Sequence, residues 1–430
     1  MPEVSLFDYL KENKVLDDDL FDSLYFDIGC LVYYYGDHFI NPREKTLNHK
    51  KGFKSSLIEQ FIKYNAYLNL LKIRRHMKKE SKIISNSYFT INFELELLGY
   101  NVYRPIWAPA YRQKCCANIS LFNKTNYIKN YILNKNFTDI VSSNFLKTLP
   151  AYRKEMTDFY NKHNIMALFV PNDISFMENF TIKIFKEIKK PSFIFLHGLP
   201  GRYNPIDENR SDYLIVWGEE IKKLYIKAGF SKEKILISGH PYYRQYNATN
   251  LRFSFDDILI ITKSLPGTQF SDKVRLYDRG NIVVYLLQIE KVLELLGVKS
   301  VRLRPHPSEK IAWYYKFIDK NFFREDTDIL SHSLSKATLV IGPSSTVLLE
   351  SIYYGVNYII FEPSIDNVDL FNLELVPPFD GTYNEIPVAK SEEDLKEILE
   401  NKIKINSSVF NKFIKTPFDI SFIKNILKKK

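Results

Sequence analysis

Cysteine is nearly absent from this chain of 430 residues, which holds Cys30, Cys115 and Cys116 and no others. An odd number without metal-ligand spacing implies neither a disulfide framework nor a thiolate zinc site. Glycine is scarce as well, at 15 residues, and no glycine-rich phosphate loop lies in residues 1–80. No stretch approaches the ~20 apolar residues of a transmembrane helix. Met1 to Leu20 carries acidic residues where a secretory signal has a basic start and an apolar core. The expectation is a cytoplasmic protein. No repeat of solenoid period is present.

What is there is the composition of a folded globular protein, 45% hydrophobic and 26% charged. At roughly 150 residues per domain, the length predicts two or three domains. Sixty Lys and Arg against fifty Asp and Glu leave a charge of +10. That excess suits anionic partners such as nucleotides, lipid headgroups or nucleic acid without choosing among them. No RNA- or DNA-binding motif supports the last, so no nucleic-acid partner is expected. The closing Lys428-Lys429-Lys430 reads first as solvated charge and second as peripheral contact with the anionic inner face of the cell membrane.

Residues 1–80 read as a helical extension, with apolar residues at helical spacing in Leu57, Phe61, Tyr64 and Leu68. From Lys82 onward strands and helices alternate, which predicts an α/β fold built on parallel sheets. A polar, Asn-rich stretch near residues 242–255 divides the alternation into two halves, 81–245 and 246–395. Residues 396–430 close the chain with helices.

Open parallel sheets bind ligands beyond the carboxyl ends of their strands. Here those ends carry Asn86-Ser87, Asn172-Asp173, His197-Gly198, Gly239-His240-Pro241, Lys263-Ser264, Arg304-Pro305-His306 and Gly342-Pro343-Ser344-Ser345-Thr346. Hydroxyls that open a helix suit an anion, although a single serine there equally caps the helix. His306 follows a strand whose Arg302 and Arg304 share one face. An imidazole beside a phosphate can stabilise charge on a leaving group.

In order and spacing, these motifs resemble bacterial GT-B glycosyltransferases that use cytidine nucleotides. The group includes sialyl- and polysialyltransferases, capsular Kdo transferases and CDP-glycerol polymerases. The resemblance spans residues 82–395 and is strongest from Asp173 to Pro363. It implies two Rossmann-like domains facing a cleft, with residues 81–245 as the acceptor domain and 246–395 as the nucleotide-sugar donor domain. The implied activity is inverting transfer of an acidic sugar from a CMP-activated donor to a glycan or glycolipid acceptor, in capsule or lipopolysaccharide synthesis. Polyol-phosphate transfer from a CDP donor and nucleotide-sugar 2-epimerisation are the enzymatic alternatives. A basic membrane- or nucleic-acid-binding module is the non-enzymatic one.

By the same resemblance, His306 contacts the nucleotide phosphate, and Ser344, Ser345 and Thr346 form the phosphate-binding turn. Glu350 holds the ribose, while Lys263, Ser264 and Arg304 complete the donor side. Asn86, Ser87 and His240 fall on the acceptor side. Asp173 is the expected general base, at a strand end that faces the cleft, and His197 is its rival. Glu94 and Glu96 are outside candidates expected to face solvent. The glutamate pair that marks many retaining GT-B enzymes is missing, since the position eight after Glu350 is Tyr358, which favours inversion. Asp17-Asp18-Asp19 reads as helix-surface charge, and neither a metal nor a cofactor is expected.

Overall fold

The computed structural model describes residues 22–24, 53–75, 81–89, 91–110, 113–134, 143–200, 203, 209–246, 250–263, 280–307, 309, 311–365, 368–371 and 375–428. Ser264, Cys30, the acidic triplet at 17–19 and Lys429-Lys430 lie outside them.

The first lobe is built on β1 (Lys82–Ser85), β2 (Asn101–Tyr103), β3 (Ile165–Val170), β4 (Ser192–Phe195), β5 (Tyr213–Val216) and β6 (Ile235–Ile237). They form one sheet in the order β2-β1-β3-β4-β5-β6, and every pair is parallel. The second lobe uses β7 (Ile258–Ile261), β8 (Val301–Arg304), β9 (Phe323–Glu325), β10 (Leu339–Gly342) and β11 (Tyr358–Phe361). A small antiparallel pair follows, β12 (Ser364–Ile365) with β13 (Val368–Asp369), before the edge strand β14 (Val388–Ala389). The order β14-β11-β10-β7-β8-β9 is again wholly parallel. Read from β9, it is the 3-2-1-4-5-6 order of a dinucleotide-binding fold. The α/β architecture with two Rossmann-like lobes is therefore as expected.

The sequence explains these strands. β1, β4, β7, β10 and β11 are buried along their whole length, as parallel strands covered on both faces must be. Each large apolar side chain so buried contributes about 1.5–3 kcal/mol. β8 alternates instead, with Val301 and Leu303 buried and the two arginines half-buried. The helix Phe176–Glu187 packs on β3 and β4. Its approach is fixed by Asn172, whose Oδ1 accepts from Ile174 N (3.1 Å) and Ser175 N (3.0 Å).

The last elements return to the first lobe. Helix Glu392–Glu400, capped by the Ser391 hydroxyl on Asp394 N (3.0 Å), packs against helix Gly280–Leu295 and β14. Beyond it, Lys415 N donates to the Trp217 carbonyl (2.8 Å) and Asp419 N to the Ser238 carbonyl (2.7 Å). The crossing is so close that a Cβ at Gly218 would stand 2.3 Å from the Phe413 carbonyl oxygen. One apolar core runs from the first sheet through Leu348, Leu349, Ile352 and Tyr358 of the second lobe to Phe410 and Phe413. Among the described residues, no helix is long and apolar enough to cross a membrane.

Candidate active site

In the second sheet the strand order reverses between β7 and β10, and the residues that follow these two strands meet there. Lys263 Nζ donates to Ser344 Oγ (2.8 Å) and to Glu362 Oε1 (3.0 Å). The same carboxylate oxygen accepts from Ser344 N (2.5 Å). Lys263 also lies 5.1 Å over the Phe371 ring. Glu362 is buried and follows β11. It holds a lysine ammonium and a serine hydroxyl together at the point where such folds take their ligand. Sequence reasoning missed Glu362, although the strand-end rule applied to Tyr358–Phe361 would have found it.

The remaining donor-side residues are positioned by their own partners. Ser345 Oγ accepts from Val347 N (3.3 Å) and so serves the start of helix Val347–Tyr353. Thr346 Oγ1 accepts from Leu199 N of the other lobe (2.9 Å). His306 exposes its imidazole on a turn clamped at the backbone. Its N–H donates to Thr262 Oγ1 (3.0 Å) and Glu309 Oε2 (3.1 Å), and Glu309 N returns to its carbonyl (2.8 Å). Glu309 is a second residue that the sequence reading passed over.

Arg304 is engaged within its own lobe. Its Nη1 donates to Asp326 Oδ2 (2.8 Å) and to the Asp328 carbonyl (2.6 Å). Arg302 pairs with the other Asp326 oxygen (2.8 Å) and grips Asp257 through two nitrogens (2.7 and 2.9 Å). A buried carboxylate between two guanidinium groups is a structural knot. Glu350 is half-buried, and burial pushes its carboxyl up to about 7 against the opposing Tyr243 hydroxyl and Arg304 charge.

On the first lobe, His197 follows β4 at the cleft. Its ring is exposed and lies 5.8 Å from the Tyr88 ring. The surrounding protein desolvates the imidazole and lowers its pKa, against a hydrogen bond to the Pro171 carbonyl. The ring is therefore neutral at pH 7, with one nitrogen holding the proton and the other a lone pair.

Asp173 stands elsewhere than expected. Its side chain is 1% exposed, and Oδ2 accepts from Arg210 N (2.6 Å) and Ser211 N (3.2 Å). Burial raises its pKa. The cleft-mouth position is not its place, and the helix start is served by Asn172. Arg210 in turn binds Asp22 through Nε (2.9 Å) and Nη2 (2.6 Å), so Asp173 and the amino-terminal turn both fix the segment before β5.

The acceptor-side expectations divide. Asn86 Nδ2 reaches Glu178 Oε1 (3.5 Å), a buried carboxylate that also accepts from Trp107 Nε1 (3.2 Å). Ser87 Oγ closes its own turn on the Phe89 carbonyl (2.7 Å). His240 is buried, stacked on Tyr243 at 4.2 Å, and its Nδ1 accepts from Tyr242 N (3.2 Å). Burial lowers its pKa to about 3, so it is a neutral packing residue. Their neighbours Tyr88 and Tyr242 are the exposed side chains here. Glu96 faces solvent as expected, but Glu94 is turned inward against Arg244. Among the described residues, no three His, Cys, Asp or Glu side chains cluster as metal ligands.

Two parallel Rossmann-like sheets, a ligand crevice at the switch point and a carboxyl-terminal segment crossing back to the first lobe define the architecture. The fold is GT-B. No protein-family model and no curated protein matches the chain. Solved structures resemble it at low identity. UDP-GlcNAc 2-epimerase from Methanocaldococcus jannaschii, in complex with UDP-GlcNAc and UDP, is 13% identical at a TM-score of 0.45 over 81% of this chain and 99% of that one. UDP-GlcNAc 2-epimerase from Neisseria meningitidis bound to UDP-GlcNAc is 12% identical at 0.43, over 81% and 98%. The wall teichoic acid polymerase TagF, as an H444N variant, is 13% identical at 0.40, over 91% and 97%. These are likenesses of fold, and a GT-B fold hosts more than one chemistry.

Proposed function

We propose that the protein acts on a nucleotide-activated sugar, whose phosphate is held at the second lobe's switch point by Lys263, Ser344 and His306, with Ser345 in the same turn. What supports this reading is the 2.9 Å bond from Leu199 N to Thr346 Oγ1, which brings the loop after His197 to the turn that holds Ser344 and Ser345. In finer detail, the donor is a CMP-activated acidic sugar and the acceptor a glycan or glycolipid of a bacterial surface polymer. His197, as the neutral imidazole, takes the proton of the acceptor hydroxyl. The hydroxyl oxygen forms a bond to the anomeric carbon from the face opposite the phosphate, and the bond from that carbon to the phosphate oxygen breaks. CMP leaves with the electron pair, its charge met by Lys263 and His306. Glu350 accepts from the ribose hydroxyls, and the exposed Tyr88 ring beside His197 offers its face to an acceptor sugar.

Calorimetry with CMP, CDP and UDP, followed by product analysis with the matching sugar donors, tests this. The expected result is binding of the cytidine nucleotides and transfer with inversion. Binding of UDP alone would overturn the cytidine assignment. An altered sugar released without any acceptor would point to epimerisation, and a product retaining phosphate to polyol-phosphate transfer.

A further inference from the structure

Helix Phe53–Arg75 buries Ala66, Leu70 and Ile73 in the first lobe, where Ala117 N donates to the Ala66 carbonyl (3.4 Å) and helix Ile119–Asn134 lies alongside. On the opposite side Leu57, Phe61, Tyr64 and Leu68 are each between 53% and 57% exposed. At 100° per residue, the four fall within about 60° of one another around the axis. A surface helix ordinarily turns polar residues outward, and this one is apolar on both sides. A contiguous exposed apolar stripe marks an interaction surface.

We infer that this face seats the protein on an anionic lipid surface. The helix sequence carries Lys54, Lys63, Lys72, Arg74 and Arg75 against one acid, Glu59, within a chain of net charge +10. An apolar stripe on a cationic helix, with a tyrosine whose hydroxyl can stay in water, is the composition of an interfacial helix. Its apolar side enters the boundary between headgroups and acyl chains, and its cations meet the anionic headgroups. A second copy docking through this face would set two cationic helices against each other, because a two-fold contact meets itself. Like charge opposes that pairing. The inference is independent of the chemistry proposed for the cleft.

Co-sedimentation of the full chain with vesicles decides the matter, using phosphatidylcholine alone and an equimolar mixture with phosphatidylglycerol. The expected result is binding to the anionic vesicles that weakens at high salt, with little binding to phosphatidylcholine. A Leu57→Ser/Leu68→Ser variant should lose about tenfold or more of that binding, with its far-ultraviolet circular dichroism unchanged, since both positions are exposed. The inference falls if the wild type stays in the supernatant with every vesicle, or if the variant binds as well as the wild type. It also falls if ultracentrifugation finds a dimer that the variant dissociates.

Discussion

Leu199 N and Thr346 Oγ1 are joined by a 2.9 Å hydrogen bond that ties the loop after His197 to the turn after β10. Gly198 sits against the same contact, and a Cβ there would stand 3.2 Å from the hydroxyl and press on it. A hydroxyl that the sequence assigns to phosphate thus serves to register the two lobes.

Thr346→Val keeps the shape and removes the acceptor. The expected loss of stability is about 1 kcal/mol, the net worth of one such bond. If the bond places the base, kcat should fall by about tenfold while CMP affinity stays within a factor of about three. Steady-state kinetics beside calorimetry would check this, and a kcat equal to wild type would confine the bond to stability.

His197→Asn removes the proposed base. Turnover should fall by a factor of about 10²–10⁴, with nucleotide affinity intact. Asp173→Asn is the paired control. Its amide oxygen still accepts from Arg210 and Ser211, so turnover should stay near wild type, whereas Asp173→Ala strips both N–H groups of their partner and should cost about 1–3 kcal/mol. Loss of turnover in a folded Asp173→Asn protein would return the role of base to that carboxylate.

Lys263→Met leaves Glu362 buried without its cation. Breaking such a pair costs about 3–5 kcal/mol, and nucleotide affinity should fall as well. The Lys263→Met/Glu362→Gln double variant should recover most of the stability and none of the affinity. Thermal unfolding and CMP titration separate the two effects.

Glu350 gives a pH dependence of definite sign. Its carboxyl is raised from 4.5 to about 7 in the folded protein. A raised folded value means that its contribution to stability is complete below about 4.5 and is lost as pH climbs through about 7. Glu350→Gln should flatten that part of the profile. Denaturation midpoints measured from pH 5 to 8 for both proteins give the difference, and identical slopes would show that Glu350 titrates normally.

Periodicity and strand-end chemistry already placed β3, β4, β5, β7, β10 and β11, because strands covered on both faces leave continuous apolar runs, and β8 is legible from its alternation. The same strand-end rule selected Lys263 and Ser344, which the fold brings within 2.8 Å. The short edge strand β9 escaped it, since Phe323–Glu325 has one buried position and two exposed ones and so leaves no run to read.

Local pattern names a residue and the strand it follows, and it is silent on which way that residue turns. Arg304 resembles a phosphate ligand until Asp326, 22 residues further on, takes its guanidinium. His240 resembles a cleft histidine until Tyr243, Phe89 and Trp217 close around it. Asp173 and Thr346 likewise find their partners 37 and 147 residues away. For Arg304, Asp173 and Thr346 the deciding contact comes from chain distant in sequence, and it forms because a buried polar group must find a partner when the chain packs. Element order and the chemical types at the crevice follow from local residue pattern. Which of those groups remain available to a ligand follows from tertiary packing, within each lobe for Arg304, Asp173 and His240 and between the lobes for Thr346.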